Sequence, residues 1–179
     1  MVCSVAGAQN SDKLYEQGKA LYDKKNYAAA VAKLRPAAEK GHKKAQYRLG
    51  VCYDKGRGVE EDNTKAFQWY AKAAAQGHAK AQYQLGRCYK KGKGTKADMA
   101  KAIEYFTKSA KQGNAEAQMA LAKCYLKGQG VAASKDKAKS WATKAIRDDE
   151  DGDEVLEELR KDAAAGDATA KQMLKLLGK

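Results

Sequence analysis

Apolar residues recur along this chain at intervals of three and four, and that pattern itself recurs every 36 residues. Ala45, Leu49, Cys52 and Tyr53 form one stripe at helical spacing. Ala81, Leu85, Cys88 and Tyr89 form the second, and Ala117, Leu121, Cys124 and Tyr125 the third. The strings that carry them are "AQYRLGVCYDKGRGV", "AQYQLGRCYKKGKGT" and "AQMALAKCYLKGQGV". Each stripe predicts one amphipathic helix. A catalytic constellation is needed once, so a string written three times points to architecture rather than chemistry.

Each first helix is predicted to stop at a Gly-x-Gly turn: Gly56 and Gly58, Gly92 and Gly94, Gly128 and Gly130. Glycine reaches the positive φ that ends a helix. A second helix follows in every unit, with predicted buried faces at Ala66, Trp69, Tyr70 and Ala73, then Ala102, Tyr105, Phe106 and Ser109. The third copy uses Ala138, Trp141, Ala142 and Ala145, and Gly77 and Gly113 close the earlier second helices. Gly50 and Gly86 lie inside first helices, where glycine costs about 1 kcal/mol against alanine. That cost implies close approach of a neighbouring helix backbone.

A helix pair of this size cannot bury its own apolar face, and stacking its neighbours does so. The predicted fold is therefore all-α, a right-handed α-solenoid of stacked helix–turn–helix repeats with about ten helices. Residues 43–147 hold three units. Residues 12–42 form a further helix pair, in which Lys24-Lys25-Asn26 takes the place of the Gly-x-Gly turn. After Gly113 the next glycine in frame is due at 149, but the matching string "AGDATAKQMLKLLG" puts it at Gly166. Residues 148–179 thus read as an acidic turn followed by capping helices near 154–165 and 168–177, with a polar outer face.

The repeated string Ala-Gln…Leu-Gly…Tyr…Gly-x-Gly, followed by Lys-Ala…Trp-Tyr…Lys-Ala-Ala…Gly, resembles the Sel-one-like repeat, a relative of the tetratricopeptide repeat. The departures are Ala122 for glycine, Thr95 for valine and Ala142 for the second aromatic. The 12–42 pair is more similar to a plain tetratricopeptide unit, through Gly18, Leu21, Tyr27, Ala30 and Pro36. In the relatives, the variable first-helix positions line a concave groove. By that resemblance the partner-binding residues here are Tyr15, Lys19 and Tyr22, then Tyr47 and Val51, then Tyr83, Arg87 and Lys90, and finally Met119 and Lys123. Asp54 and Leu126 share the register position of Lys90. Such a groove is aromatic and cationic, and it suits an extended peptide with acidic groups.

Charge is unevenly placed along the chain. Residues 1–147 hold 30 Lys/Arg against 12 Asp/Glu, or +18, while residues 148–179 hold 5 against 10, or −5. A basic body with an acidic tail suggests an anionic partner or a tail that shields the body, while a lysine-rich solvated surface, common in helical proteins, accounts for the same charge without a partner. The alternative to a peptide is an anionic polymer or cell-envelope glycan, bound through Arg87, Lys90, Lys91 and Lys93. No apolar run approaches the roughly 18 residues of a membrane span, and a monomer is expected. Residues 1–11 read either as the end of a signal peptide, with Ala6-Gly7-Ala8 as an A-x-A cleavage site, or as a plain tail. The first reading places the protein in the periplasm or outside the cell, the second in the cytoplasm.

The residues that could carry chemistry fit structural roles better. Cys52, Cys88 and Cys124 hold equivalent places on successive helices, which pack about 8–10 Å apart, too far for a disulfide. They read as small buried residues, and no CxxC pair suggests zinc; Cys3 is unassigned. His42 and His78 are replaced by Asn114 in the third unit, as expected of helix caps. "GKGTK" lacks the P-loop spacing. Arg147 occupies the first ligand position of the only calcium-loop-like stretch, which argues against calcium. The expectation is a protein without cofactor or metal and without enzymatic activity, because no nucleophile is paired with a base.

Overall fold

A computed structural model describes residues 3–147 and 150–179. Those residues form ten helices and no strand. The first compact unit spans Met1–Ala97 and the second Asp98–Lys179.

In the first unit, α1 (Cys3–Asp23) pairs with α2 (Tyr27–Glu39), and α3 (Lys43–Lys55) pairs with α4 (Asn63–Ala75), followed by α5 (Ala79–Lys91). Each helix packs on the next in sequence. The predicted stripes are the core: Ala45, Leu49 and Cys52 are fully buried, as are Ala81 and Leu85, and Leu34 lies beneath α1. Helix α1 begins at Cys3 and so takes in most of the segment read above as a tail. The side chain of Cys3 and those of the A-x-A stretch lie outside the described residues.

The caps follow the sequence. His42 and His78 accept the Ala45 and Ala81 amides through Nδ1, at 3.1 and 3.2 Å. Asn114 accepts from Ala117 at 2.9 Å. Asp62, Asp98 and Ser134 cap the second helices in the same way. Gly56, Gly92 and Gly128 each end a first helix in the left-handed region.

The second glycine of each turn is fixed by space as well as by φ. A Cβ on Gly58 would lie 2.4 Å from the Tyr27 carbonyl, and one on Gly94 would lie 2.0 Å from the Asn63 oxygen. The turn thus rests on the first residue of the preceding unit's second helix. Gly50 differs from expectation. A Cβ added there would lie 2.7 Å from the Tyr70 ring, so its close neighbour is a side chain rather than a helix backbone. A flat ring laid against a bare Cα fills that space and leaves no room for a side chain.

In the second unit, α6 (Met99–Lys111), α7 (Ala115–Lys127) and α8 (Lys135–Ala145) continue the alternation, and α9 (Glu150–Ala164) and α10 (Ala168–Leu177) pack against α7 and α8. Val155, Leu159, Ala163, Ala170 and Met173 bury the faces of Met119, Ala122, Ala142 and Ala145. The opposite side of α9 is polar and exposed, with Asp153, Glu154, Glu157, Glu158 and Lys161. Asp148 and Asp149 of the acidic turn lie outside the described residues. The paired aromatics of the second helices divide their work. Tyr70 and Phe106 are core. Trp69, Tyr105 and Trp141 sit at the margin, beneath the ammonium groups of Lys72, Lys108 and Lys144 at 4.1, 5.2 and 4.7 Å.

Candidate functional site

The variable first-helix residues of the first unit do not all face solvent. Tyr15 is buried and stacked on His42 at 4.5 Å. Tyr47 is half-buried and stacked on His78 at 4.7 Å. These tyrosines brace the capping histidine of the next first helix, which ties the expected anchors to the architecture. Lys19 pairs with Asp23 at 3.0 Å. Tyr22 lies in an arginine cluster: Arg48 stands 5.0 Å and Arg57 5.6 Å from its ring centre, and Arg57 also donates to its hydroxyl. Val51 is half-buried and Lys90 exposed.

In the second unit the two predicted residues have other partners. Met119 is 5 % exposed and packed under α9 and α10 with Leu159 and Met173, so it belongs to the core and offers no surface to a ligand. The sequence pattern missed this because the covering helices fall outside the 36-residue frame. Lys123 reaches Asp162 of α9 at 3.4 Å.

The α3–α4–α5 region gathers a cluster of charged and polar side chains. A cavity of about 180 Å³ opens there, lined by Asp54, Lys55, Tyr70, Arg87, Lys91 and Lys93 together with Gln84 and Cys88. Of the ten residues expected to bind a partner, only Arg87 is among them. Its guanidinium lies 5.8 Å from the Tyr83 ring centre and donates to Gln84 Oε1 at 3.1 Å. Lys93 donates to Asp54 at 2.8 Å, with Lys55 at 3.5 Å from the same carboxylate and Glu61 at 3.7 Å from Lys93. Burial alone would push the Asp54 carboxyl up, but Lys93 and Lys55 hold it below its ordinary value. Burial, and then the charge of Asp54, pushes the Tyr70 hydroxyl well above the usual phenol range, so it is neutral and able to donate.

Two features of this region were not deduced from the sequence. Tyr70 reads there as a core aromatic, which it is, and its place in the cavity lining depends on α5 packing beside α4. The Asp54–Lys93 pair joins residues 39 apart across successive turns, a contact that follows only once the units stack. The repeated glutamines are structural: Gln46, Gln82 and Gln118 are buried and donate to the carbonyls of Ala38, Ala74 and Ala110. Burial pushes the thiols of Cys52 and Cys88 up to about 11, consistent with packing roles.

Comparison with known proteins agrees with this construction. The Sel1 repeat family model matches residues 8–42, 43–78, 79–114 and 115–149. It takes in the first helix pair, expected above to be a plain tetratricopeptide unit. A Sel1 repeat protein from Oxalobacter formigenes is similar at 31% identity and a TM-score of 0.71, over 89% of this chain and 74% of that one. The protective antigen c5321 of uropathogenic Escherichia coli strains, described as displaying an SLR fold, gives 29% identity and a TM-score of 0.73, over 94% of this chain and 38% of that one. Among curated proteins, "DAP3-binding cell death enhancer 1" of Rattus norvegicus is 44% identical over 41 residues, which is 23% of this chain and 8% of that protein. The chain thus matches only a small part of the length of its curated relatives, and no helix among its described residues is long and apolar enough to cross a membrane. Repeated stripes, capped pairs and docked glycine turns have one common explanation: the fold is an all-α solenoid of helix pairs, and the chain belongs to the Sel1 repeat family.

Proposed function

We propose that the chain is a non-catalytic scaffold, and that the surface of α3 and α5 holds an extended, acidic segment of a partner protein. Sel1 repeat proteins generally serve as protein-interaction scaffolds, which supports the coarse reading. The observation that carries the finer one is the ordered aromatic and cationic set on this surface. Tyr47 is fixed by its stack on His78, and Arg87 is held beside Tyr83 by Gln84. Side chains already held in place lose little freedom on binding. Tyrosine and arginine are also the residue types that most often anchor interfaces. Exposed Lys90 and Lys91 add the positive field that would steer an acidic segment inward. The curated relative's name records DAP3 binding, which is in keeping with a binding role.

The test is affinity capture from the source cell on the full chain and on a Tyr83→Ala/Arg87→Ala variant, at low and at physiological salt. Partners retained at physiological salt on the parent chain and lost on the variant are expected. Retention of the same partners by the variant would refute the surface. Binding that disappears with salt on both chains would favour an anionic polymer instead.

A further inference from the structure

The Tyr70 hydroxyl is buried and has no hydrogen-bond partner among the described residues, although its residue lines the α3–α4–α5 cavity. A buried donor left unsatisfied costs about 1–3 kcal/mol. Replacing tyrosine by phenylalanine at this place would remove that cost and keep the ring on Gly50. Phe106 holds the same register position in the next unit. Packing alone therefore gives no reason for the hydroxyl.

The lining shows what would satisfy it. Four cations, Lys55, Arg87, Lys91 and Lys93, face one carboxylate, Asp54. Asp54 is already engaged by Lys93 and Lys55. Arg87 spends one donor on the neutral Gln84 oxygen, and a guanidinium has five, so donors remain for a charged acceptor. The lining is positive by three charges, and the Tyr70 hydroxyl enclosed behind it is one unused neutral donor. At about 180 Å³ it is smaller than the roughly 300–1,000 Å³ of sites for drug-sized ligands, but it has room for one short side chain.

We propose that this cavity receives the carboxylate of an aspartate or glutamate side chain from the bound partner segment, with the Arg87 guanidinium as one donor and Tyr70 Oη, enclosed in the free chain, as a second donor uncovered when the lining side chains give way. The proposal rests on the scaffold reading above and names the subsite that makes the ligand acidic. Lys93 acts as a positioning residue: by neutralising Asp54 it keeps that carboxylate from repelling the incoming one. Tyr70 supplies direction, because one hydroxyl donor between α4 and α5 fixes where along the segment the acidic residue must fall.

A randomised octapeptide display library panned against the full chain, and against its Tyr70→Phe and Arg87→Gln variants, tests this. The expected result is a position enriched in Asp or Glu on the parent chain. That enrichment falls about tenfold on Tyr70→Phe, as loss of one hydrogen bond to a charged group implies, and vanishes on Arg87→Gln. A melting curve of Tyr70→Phe, expected at or above that of the parent, establishes that the loss is not one of folding. Equal acidic enrichment on the parent and on Tyr70→Phe would overturn the subsite, as would a lower melting midpoint with binding intact, which would mark the hydroxyl as structural. Peptides enriched without an acidic position would overturn the subsite and leave the scaffold surface standing. No enrichment on any chain would count against both.

Discussion

Replacing Gly94 by alanine perturbs the repeat at its joint. Gly94 has a φ of +71°, and a Cβ there would lie 2.0 Å from the Asn63 oxygen and 2.6 Å from its carbonyl carbon. The left-handed backbone alone costs alanine about 1–2 kcal/mol. The contact adds a second cost, because the obstructing atoms are backbone at the start of α4, which Asp62 caps at 2.9 Å, and cannot swing aside. Forcing a methyl into such a site costs about 1–3 kcal/mol, for a total of roughly 2–5 kcal/mol. Gly77 supplies the control, since its φ is +77° and a Cβ added there would meet nothing within 4 Å. Gly77→Ala should therefore lose only the first term. Urea unfolding followed by circular dichroism at about 222 nm measures both, with the midpoints compared at equal slope. Gly94→Ala should lose at least about 1 kcal/mol more than Gly77→Ala. Equal losses within error would mean that the second glycine serves only its own turn and does not set the register between units.

Three further outcomes follow from the same geometry. Burial, with Lys43, Lys44 and Lys80 nearby, pushes the His78 imidazole down to about 4. The unfolded chain therefore binds the proton first, so His78 contributes its full stability above its unfolded pKa of about 6.5 and loses it as pH falls toward 4. Protonation also makes Nδ1 a donor that can no longer cap Ala81. His78→Asn, which copies Asn114, should flatten the acid limb of a pH–stability profile, and an unchanged limb would remove His78 as its cause. Deleting residues 148–179 should bare Met119 and Ala142, giving dye-binding apolar surface and a broader melt, and a sharp monomeric melt would contradict capping by α9 and α10. Cys52 and Cys88, buried with thiols near 11, should resist iodoacetamide at about pH 8 in the folded chain and react in urea. Rapid labelling of the native protein would show that these helices open.

Legibility in the sequence followed the range of the interaction. The helix pairs could be read because each depends on spacing within about fifteen residues: stripe, capping residue and terminal glycine all lie on one segment. His42, His78 and Asn114 could be recognised as caps because a histidine that interchanges with asparagine has an acceptor role in common with it. What could not be read depends on stacking. That Gly58 and Gly94 are fixed by the preceding unit, and that Gly50 faces a ring rather than a backbone, requires a neighbour's register. Met119 shares its position with Tyr47 and Tyr83, and the expectation of a groove residue followed from that equivalence. Two helices outside the repeat frame then covered it.

The repeat also separates side chains that hold the architecture from those free to differ. Positions identical in every copy, the alanines, leucines, cysteines and glutamines, are buried or bonded within the stack. Their chemistry is spent before any partner arrives. At the places that differ, Asp54 stands where Lys90 and Leu126 stand in the other units, Arg87 where Val51 and Lys123 stand, and Tyr70 keeps a hydroxyl that Phe106 lacks. These three unrelated departures from the pattern meet at one cavity. Architecture explains why a position is repeated. It gives no reason for three independent exceptions to fall together, whereas the proposed subsite does, because an incoming carboxylate would need an arginine, a lone donor and a resident carboxylate whose charge is already compensated.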